Sequence, residues 1–180
     1  MHISDEDELI RRLSNNDRGA FEQIFRTYYT DLCKFCLKYV RDEQVAEEVV
    51  QEVFIKLYSQ NNKIDSIKSW LYKVLYNEFI NVSKRENSHA KYVEYEKNHP
   101  EIFDSETKSD KEEVRQIVLK TINNFPEREK ALLLLYHEGM SYSEMAEILE
   151  INPNSVGKTL SRAIEKLTFT LKIEYNELFV

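Results

Sequence analysis

Glycine and proline are scarce, three of each in 180 residues, and their scarcity excludes whole classes of function. Walker-type and dinucleotide-binding loops need several glycines so that the backbone can approach phosphates, and no such cluster is present. No alternating apolar and polar stretch persists long enough to argue for a sheet. With few breakers and no strand pattern, the chain reads as all-helical. Long apolar runs are also missing, so no segment is expected to insert into a membrane. The opening residues, "MHISDEDELIRRL", are acidic where a signal peptide would be basic and then apolar, and a cytoplasmic location is expected.

Cysteine is limited to Cys33 and Cys36, in "LCKFCLK". A C-x-x-C pair raises zinc or redox chemistry, but a structural zinc needs four ligands and no second Cys or His pair follows at usable spacing. Two small apolar residues in a helix are the simpler reading. His2, His89, His99 and His137 are scattered, with no His-x-x-x-His pair, and the carboxylates follow solvated helix faces. No metal, cofactor or catalytic activity is expected.

The net charge of −7 is unevenly spread. Residues 1–92 hold 14 basic and 15 acidic side chains, and residues 114–180 hold 8 and 9. Between them, "VEYEKNHPEIFDSETKSDKEE" carries three lysines against eight carboxylates. This stretch has little apolar periodicity and contains Pro100, which makes it a linker with poor core-forming capacity. Two readings stand for it, a plain solvated tether and an acidic strand that occupies a basic channel of a partner in place of nucleic acid. Three segments follow: 1–92, an acidic linker 93–113, and 114–180.

In the last segment, Val114, Ile117, Val118 and Ile122 share a helical face before "NFPER" interrupts. Pro126 fits a helix start, and Gly139 fits the cap that ends the run "EREKALLLLYHEG". "SYSE", from Ser141 to Glu144, matches a capping box and predicts a short helix to about Leu149. Asn152 can cap the next helix with Pro153 in its first position, and Val156, Leu160, Ala163, Ile164 and Leu167 form its expected buried stripe. A short and a longer helix, joined by a tight turn with small Ala146 at their approach, make a helix-turn-helix. Asn154, Ser155, Lys158, Ser161 and Arg162 remain on the opposite face. Base contact is assigned to Asn154, Ser155 and Lys158, and phosphate contact chiefly to Arg162 with Lys166 behind it. A helical hairpin with an ordinary solvated face explains the stripe equally well, but not the cap, the proline and the local basic excess together. Gly157 in the helix interior allows close approach of DNA or is simply tolerated.

In the first segment, Phe21, Ile24, Phe25, Tyr28, Tyr29, Leu32, Phe35 and Cys36 predict a long helix with a wide apolar face. The next, "EQVAEEVVQEVFIKLY", places Val45, Val49, Val53 and Leu57 in one row and Ala46, Val50, Phe54 and Tyr58 in its neighbour. It exposes Glu47, Glu48, Gln51, Glu52 and Ile55. A third, "SIKSWLYKVLYNEFINVSKRE", is expected to bury Ile67, Trp70, Leu71, Val74 and Leu75 and to project Lys73, Asn77, Asn81 and Lys84, with Tyr72 and Tyr76 available to stack on unpaired bases. A lysine and asparagine stripe is also what plain solvated surface looks like.

Three local patterns together resemble the bacterial extracytoplasmic-function (ECF) sigma factors, small two-domain members of the RNA polymerase sigma family. "EEVVQEVFIKLY" is similar to the family's acidic-x-x-Gln-Glu-x-Phe helix, and "SWLYKVLYNEFINVSKR" to its Trp-Leu…Asn helix. "FPEREKALLLLYHEGMSYSEMAEILEINPNSVGKTLSRAIEKL" is similar to its C-terminal helix-turn-helix. The resemblance runs from about Ala20 to Leu167. It implies two small helical domains joined by the acidic linker, with core RNA polymerase and promoter DNA as partners. Glu48, Gln51, Glu52, Phe54 and Leu57 then match the polymerase-docking surface. Lys73, Asn77, Asn81, Lys84 and Arg85 match the part that melts and reads the minus-10 element, and Asn61, Asn62 and Lys63 match the loop that holds a flipped-out base. The C-terminal domain would read the minus-35 element through Asn154, Ser155, Lys158, Ser161, Arg162 and Lys166. An anti-sigma factor, commonly membrane-linked in the family, is an implied partner. Asn81 stands where aspartate is usual and Gly157 where lysine is frequent, which bears on promoter preference. Because the polymerase supplies much of the nonspecific charge, net acidity does not oppose this role. The last residues, "TFTLKIEYNELFV", extend the final helix or cover an apolar patch.

A conventional helix-turn-helix regulator shares the C-terminal motif and would bind duplex DNA without polymerase. The Gln-Glu helix and the Trp-bearing helix favour the sigma reading.

Overall fold

The computed structural model describes the backbone of residues 3–40, 42–60, 64–90 and 110–175, and the side chains of these apart from 3–4, 82–90 and 110–112. Eight α-helices and no strand occur among the described residues. The residues fall into two compact units, divided between Arg85 and Glu86, with Glu147–Glu150 grouped with the first.

The first unit begins with α1 (Ile3–Ser14), whose first turn carries Asp5 and Glu6 and whose last carries Arg11 and Arg12, the order that complements the helix dipole. Leu9 and Leu13, one turn apart, are buried among its described side chains. Asn16 ends it at φ 57°, with the Asp17 and Asn16 amides donating to the Arg12 and Leu13 carbonyls, a Schellman closure in which asparagine takes the left-handed position. Asp17 then starts α2 (Arg18–Val40): its Oδ1 accepts from the amides of Gly19 at 2.7 Å and Ala20 at 3.3 Å, while Oδ2 accepts from Arg12 Nε at 2.8 Å. One side chain closes one helix and opens the next.

Helix α3 (Glu43–Ser59) is capped by Asp42, whose carboxylate accepts from the Val45 amide at 3.0 Å. It packs most extensively on α2, burying Val49, Val50, Val53, Phe54 and Leu57 among Ile24, Leu32 and Phe35 and their neighbours in one apolar core. Helix α4 (Ile67–Ala90) adds Ile67, Leu71, Tyr72, Leu75 and Phe79, and an ion pair between Lys56 and Glu78 links α3 to α4. Tyr72 is 2% exposed, with its ring edge-on to Phe35 at 4.9 Å between centroids. It is therefore a core residue and not the base-stacking surface expected from the sequence. Trp70 and Val74 are half-buried rather than fully buried.

The second unit opens with α5 (Asp110–Asn123), which starts four residues ahead of the expected Val114. Ile122 is buried, whereas Val114 at the outer end of the same face is exposed. Helix α6 (Glu127–His137) has Pro126 as its N-cap. It closes on Gly139 at φ 74°, with the Met140 and Gly139 amides bonded to the Leu135 and Tyr136 carbonyls, so the glycine cap read from the sequence is present. Its interior, Ala131 to Leu135, is wholly buried, and truncation of one such leucine to alanine typically costs about 2–5 kcal/mol. The unit is completed by helix α7 (Tyr142–Ile148), of which Tyr142–Ala146 belong to it, and by helix α8 (Pro153–Glu174), which packs against α6 and α5.

Candidate nucleic-acid interface

Local chemistry sets the geometry of the α7–α8 pair. The Ser141 amide donates to Glu144 Oε2 at 2.7 Å, and the Glu144 amide donates to Ser141 Oγ at 3.3 Å, a reciprocal capping box that starts α7. Helix α7 ends without a glycine: Glu150 adopts φ 52°, and the Ile151 and Glu150 amides bond the Ala146 and Glu147 carbonyls. The required left-handed position is thus filled by an ordinary side chain. Two residues later Asn152 caps α8, its Oδ1 accepting from the Asn154 amide at 2.9 Å with Pro153 in the first position.

These turns present the opening of α8 to solvent. Val156, Leu160 and Ala163 are buried, while Asn154, Ser155, Lys158, Ser161 and Arg162 are exposed. Among the described residues, neither Lys158 nor Arg162 has an ion-pair partner. The hydroxyl of exposed Ser155 donates to the Asn152 carbonyl at 2.7 Å, which leaves the oxygen able to accept. Lys166 turns away from this group, its Nζ 3.0 Å from Glu129 Oε2 and 4.4 Å above the Phe125 ring. Ile164, expected in the buried stripe, is 38% exposed, because it lies on the rim of the wheel and not at its centre.

In the first unit, Glu47, Glu48, Gln51, Glu52 and Ile55 line the exposed side of α3 as expected. Phe54 and Leu57 are core residues at 3% and 1% exposure. Phe54 forms the floor of a shallow apolar hollow with Phe21, Phe25, Ile55 and Tyr58. Tyr58, expected among the buried rows, is 68% exposed and meets Phe21 edge-on at 5.4 Å. On α4, Asn77 and Asn81 are exposed and Lys73 is half-buried. The side chains of Lys84 and Arg85, and the whole of Asn61, Asn62 and Lys63, lie outside the described residues.

Of the two cysteines, Cys36 is a core residue and Cys33 is half-buried. Burial pushes the Cys36 thiol up to about 12, and burial also raises Cys33, so neither is poised as a thiolate. Among the described residues, no group of three or more His, Cys, Asp or Glu side chains is placed to hold a metal, and no helix is long and apolar enough to cross a membrane.

The description "Sigma-70 region 2" matches residues 24–89, and "Sigma-70, region 4" matches residues 115–167, together about two thirds of the chain. The chain is similar to the ECF RNA polymerase sigma factor SigM of Bacillus subtilis, 26% identical with 82% of this chain and 93% of the relative covered. It is also similar to the ECF RNA polymerase sigma-E factor of Escherichia coli, 28% identical with 88% and 90% covered. The chain belongs to the ECF sigma factors. The fold of this sigma factor is also that of a solved structure of the sigma factor RpoE in complex with the anti-sigma factor NepR from Bartonella quintana. The TM-score is 0.65 at 21% identity, with 86% of this chain and 98% of the other covered.

Region 2 of the sigma factor thus spans α3 and α4 and most of α2, and region 4 spans most of α5, the whole of α6 and α7, and the first two thirds of α8. One residue at the region 4 surface escaped the sequence reading. Tyr142, the first residue of α7, is half exposed and lies against Gly157 of α8. The glycine was the available signal, since a residue poor at forming helices in a helix interior marks a close approach.

Proposed function

We propose that this sigma factor binds core RNA polymerase through region 2 and directs initiation at promoters whose minus-35 element is read by α8. The exposed face that begins α8 carries this reading, because it combines a helix N-terminus with Asn154, Ser155, Lys158 and Arg162, and leaves the two cations unpaired. Side chains at the start of such a helix meet base edges, while cations further along neutralise phosphates. Ser161 flanks them, and Lys166 acts at the margin of this surface when it leaves Glu129.

Docking on polymerase is assigned to Glu48, Gln51 and Glu52 on α3, with the apolar hollow over Phe54 beside them and Leu57 supporting it from the core. Minus-10 melting and reading is assigned to Lys73, Asn77, Asn81, Lys84 and Arg85 on α4, with Asn61, Asn62 and Lys63 ahead of it. The working division is 1–92, an acidic linker 93–113, and 114–180. The chain acts in the cytoplasm as a regulator and not as a catalyst. An anti-sigma protein binds this chain, a reading supported by the solved complex of a structurally similar sigma factor with NepR, and the face it covers is assigned as the polymerase-binding one.

The test is co-elution with core RNA polymerase. The wild-type chain is expected to co-elute, and the double substitution Glu48→Lys with Glu52→Lys is expected to abolish co-elution without changing thermal unfolding, since both residues are exposed. Unchanged affinity of the double variant would contradict the docking assignment.

A further inference from the structure

Gly157 is the fifth residue of α8 and lies in the helix interior, where glycine is a poor choice relative to alanine. Its φ is not left-handed, so no turn explains it. What explains it is the neighbour: a Cβ placed there would lie 3.2 Å from Cε2, 3.7 Å from Cδ2 and 4.0 Å from Cζ of Tyr142. The phenol ring lies close over the bare helix backbone, and a Cβ at 157 would make it give way by a few tenths of an ångström.

Asn154 and Ser161 stand three residues before and four after Gly157, and so share its side of the helix. The Tyr142 ring fills the gap that glycine leaves in this row. Tyr142 remains 51% exposed, and its hydroxyl has no hydrogen-bond partner among the described residues. It is also the first residue of the leading helix of the helix-turn-helix, the helix that crosses the DNA backbone while its successor enters the groove.

We propose that the Tyr142 hydroxyl donates to a phosphate oxygen beside the minus-35 element, from a seat that glycine at 157 creates. The contact rests on α8 reading that element. The ring is pre-organised by its packing, so little side-chain freedom is lost on binding. Being neutral, the hydroxyl releases no counterion, and its removal weakens binding without altering salt dependence. A phosphate contact positions the protein and carries no base preference.

The test uses holoenzyme and a duplex promoter fragment selected by that holoenzyme from a random pool. Tyr142→Phe, which keeps the ring, should weaken binding about three- to tenfold, equally on fragments with altered minus-35 bases. Its salt slope and thermal midpoint should be those of the wild type. Gly157→Ala, which pushes the ring out of its seat by a few tenths of an ångström, should weaken binding by up to as much, and should add little in the Tyr142→Phe background. Arg162→Ala serves as reference. If Arg162→Ala weakens binding and Tyr142→Phe does not, the tyrosine contact is wrong while the minus-35 surface stands. If neither has an effect, the surface itself is wrong. Full additivity of Gly157→Ala and Tyr142→Phe would remove the seat.

Discussion

The carboxylate of Glu6, in α1, accepts the backbone amide hydrogen of Ile67, the first residue of α4, at 2.9 Å. The two residues are 61 positions apart. The first amides of a helix have no partner within it, and α4 takes one of its caps from a different helix; its own Ser66 hydroxyl accepts from Ser69 at the longer distance of 3.4 Å. Because α4 carries the face proposed to melt and read the minus-10 element, α1 bears directly on how that face begins. Glu6→Ala should destabilise the chain by about 1 kcal/mol, the usual worth of a cap, and Glu6→Gln, which keeps an acceptor, by less. Urea unfolding checks this. Equal midpoints for wild type and Glu6→Ala would show that the bond contributes nothing.

Glu150 should respond in the opposite sense. A non-glycine residue in the left-handed region costs roughly 1 kcal/mol relative to glycine, and Glu150 sits there at φ 52° to close α7. Glu150→Gly should therefore raise the thermal midpoint, and Glu150→Val, with a branched side chain at the same φ, should lower it. A lower midpoint for the glycine variant would contradict the strain.

Asp17 ties α1 to α2, and its acidity follows from that geometry. The Arg12 guanidinium holds its carboxyl below the usual carboxylate range, with the Ala20 and Gly19 amides acting in the same direction. A carboxyl lowered in the folded state contributes stability above its unfolded value, about pH 4, and that contribution is lost as pH falls through the folded value. Asp17→Asn should thus be less stable than wild type at neutral pH, and the gap should narrow as the solution becomes acidic. A gap of constant size across that range would rule out the carboxylate as its source.

The two cations proposed as phosphate ligands differ in setting. Arg162 is unpaired among the described residues, whereas Lys166 is engaged by Glu129 and Phe125. Arg162→Ala should weaken promoter binding by holoenzyme and lower the magnitude of the salt slope by about 1. Lys166→Ala should change the slope less and loosen the packing of α8 on α6. Equal slopes for both variants would contradict this ranking.

What was legible in the sequence was local. Ser141 with Glu144, Asn152 with Pro153, and Gly139 each act within a few residues, so capping chemistry could be read without knowing what the helices pack against, and all three occur in the structure. Helical periodicity placed the centres of the buried faces correctly and erred at their rims. Ile164 and Tyr58 are exposed, and Tyr72, assigned to the surface, is buried by Phe35 on another helix. Three features escaped because they depend on distant partners or on an atypical residue: the Glu6 cap on α4, the seat of Tyr142 on Gly157, and a helix closure at Glu150 without glycine. Helix α1 was not delimited for a related reason, since its four apolar residues, Ile3, Leu9, Ile10 and Leu13, are too few and too unevenly spaced to make a repeating stripe. The pairing of region 2 with region 4 was legible because its signals are short patterns in a set order. The contacts that each face makes with polymerase or DNA depend on partners that no pattern within the chain encodes.

The central claim, a sigma factor that confers promoter recognition on polymerase, is tested most directly by transcription from a pool of random promoter fragments with core RNA polymerase, with and without the purified chain. Discrete start sites that appear only when the chain is present, upstream of which the fragments share two spaced elements, are the predicted result. No chain-dependent start sites, together with tight binding of duplex DNA by the chain alone, would contradict it.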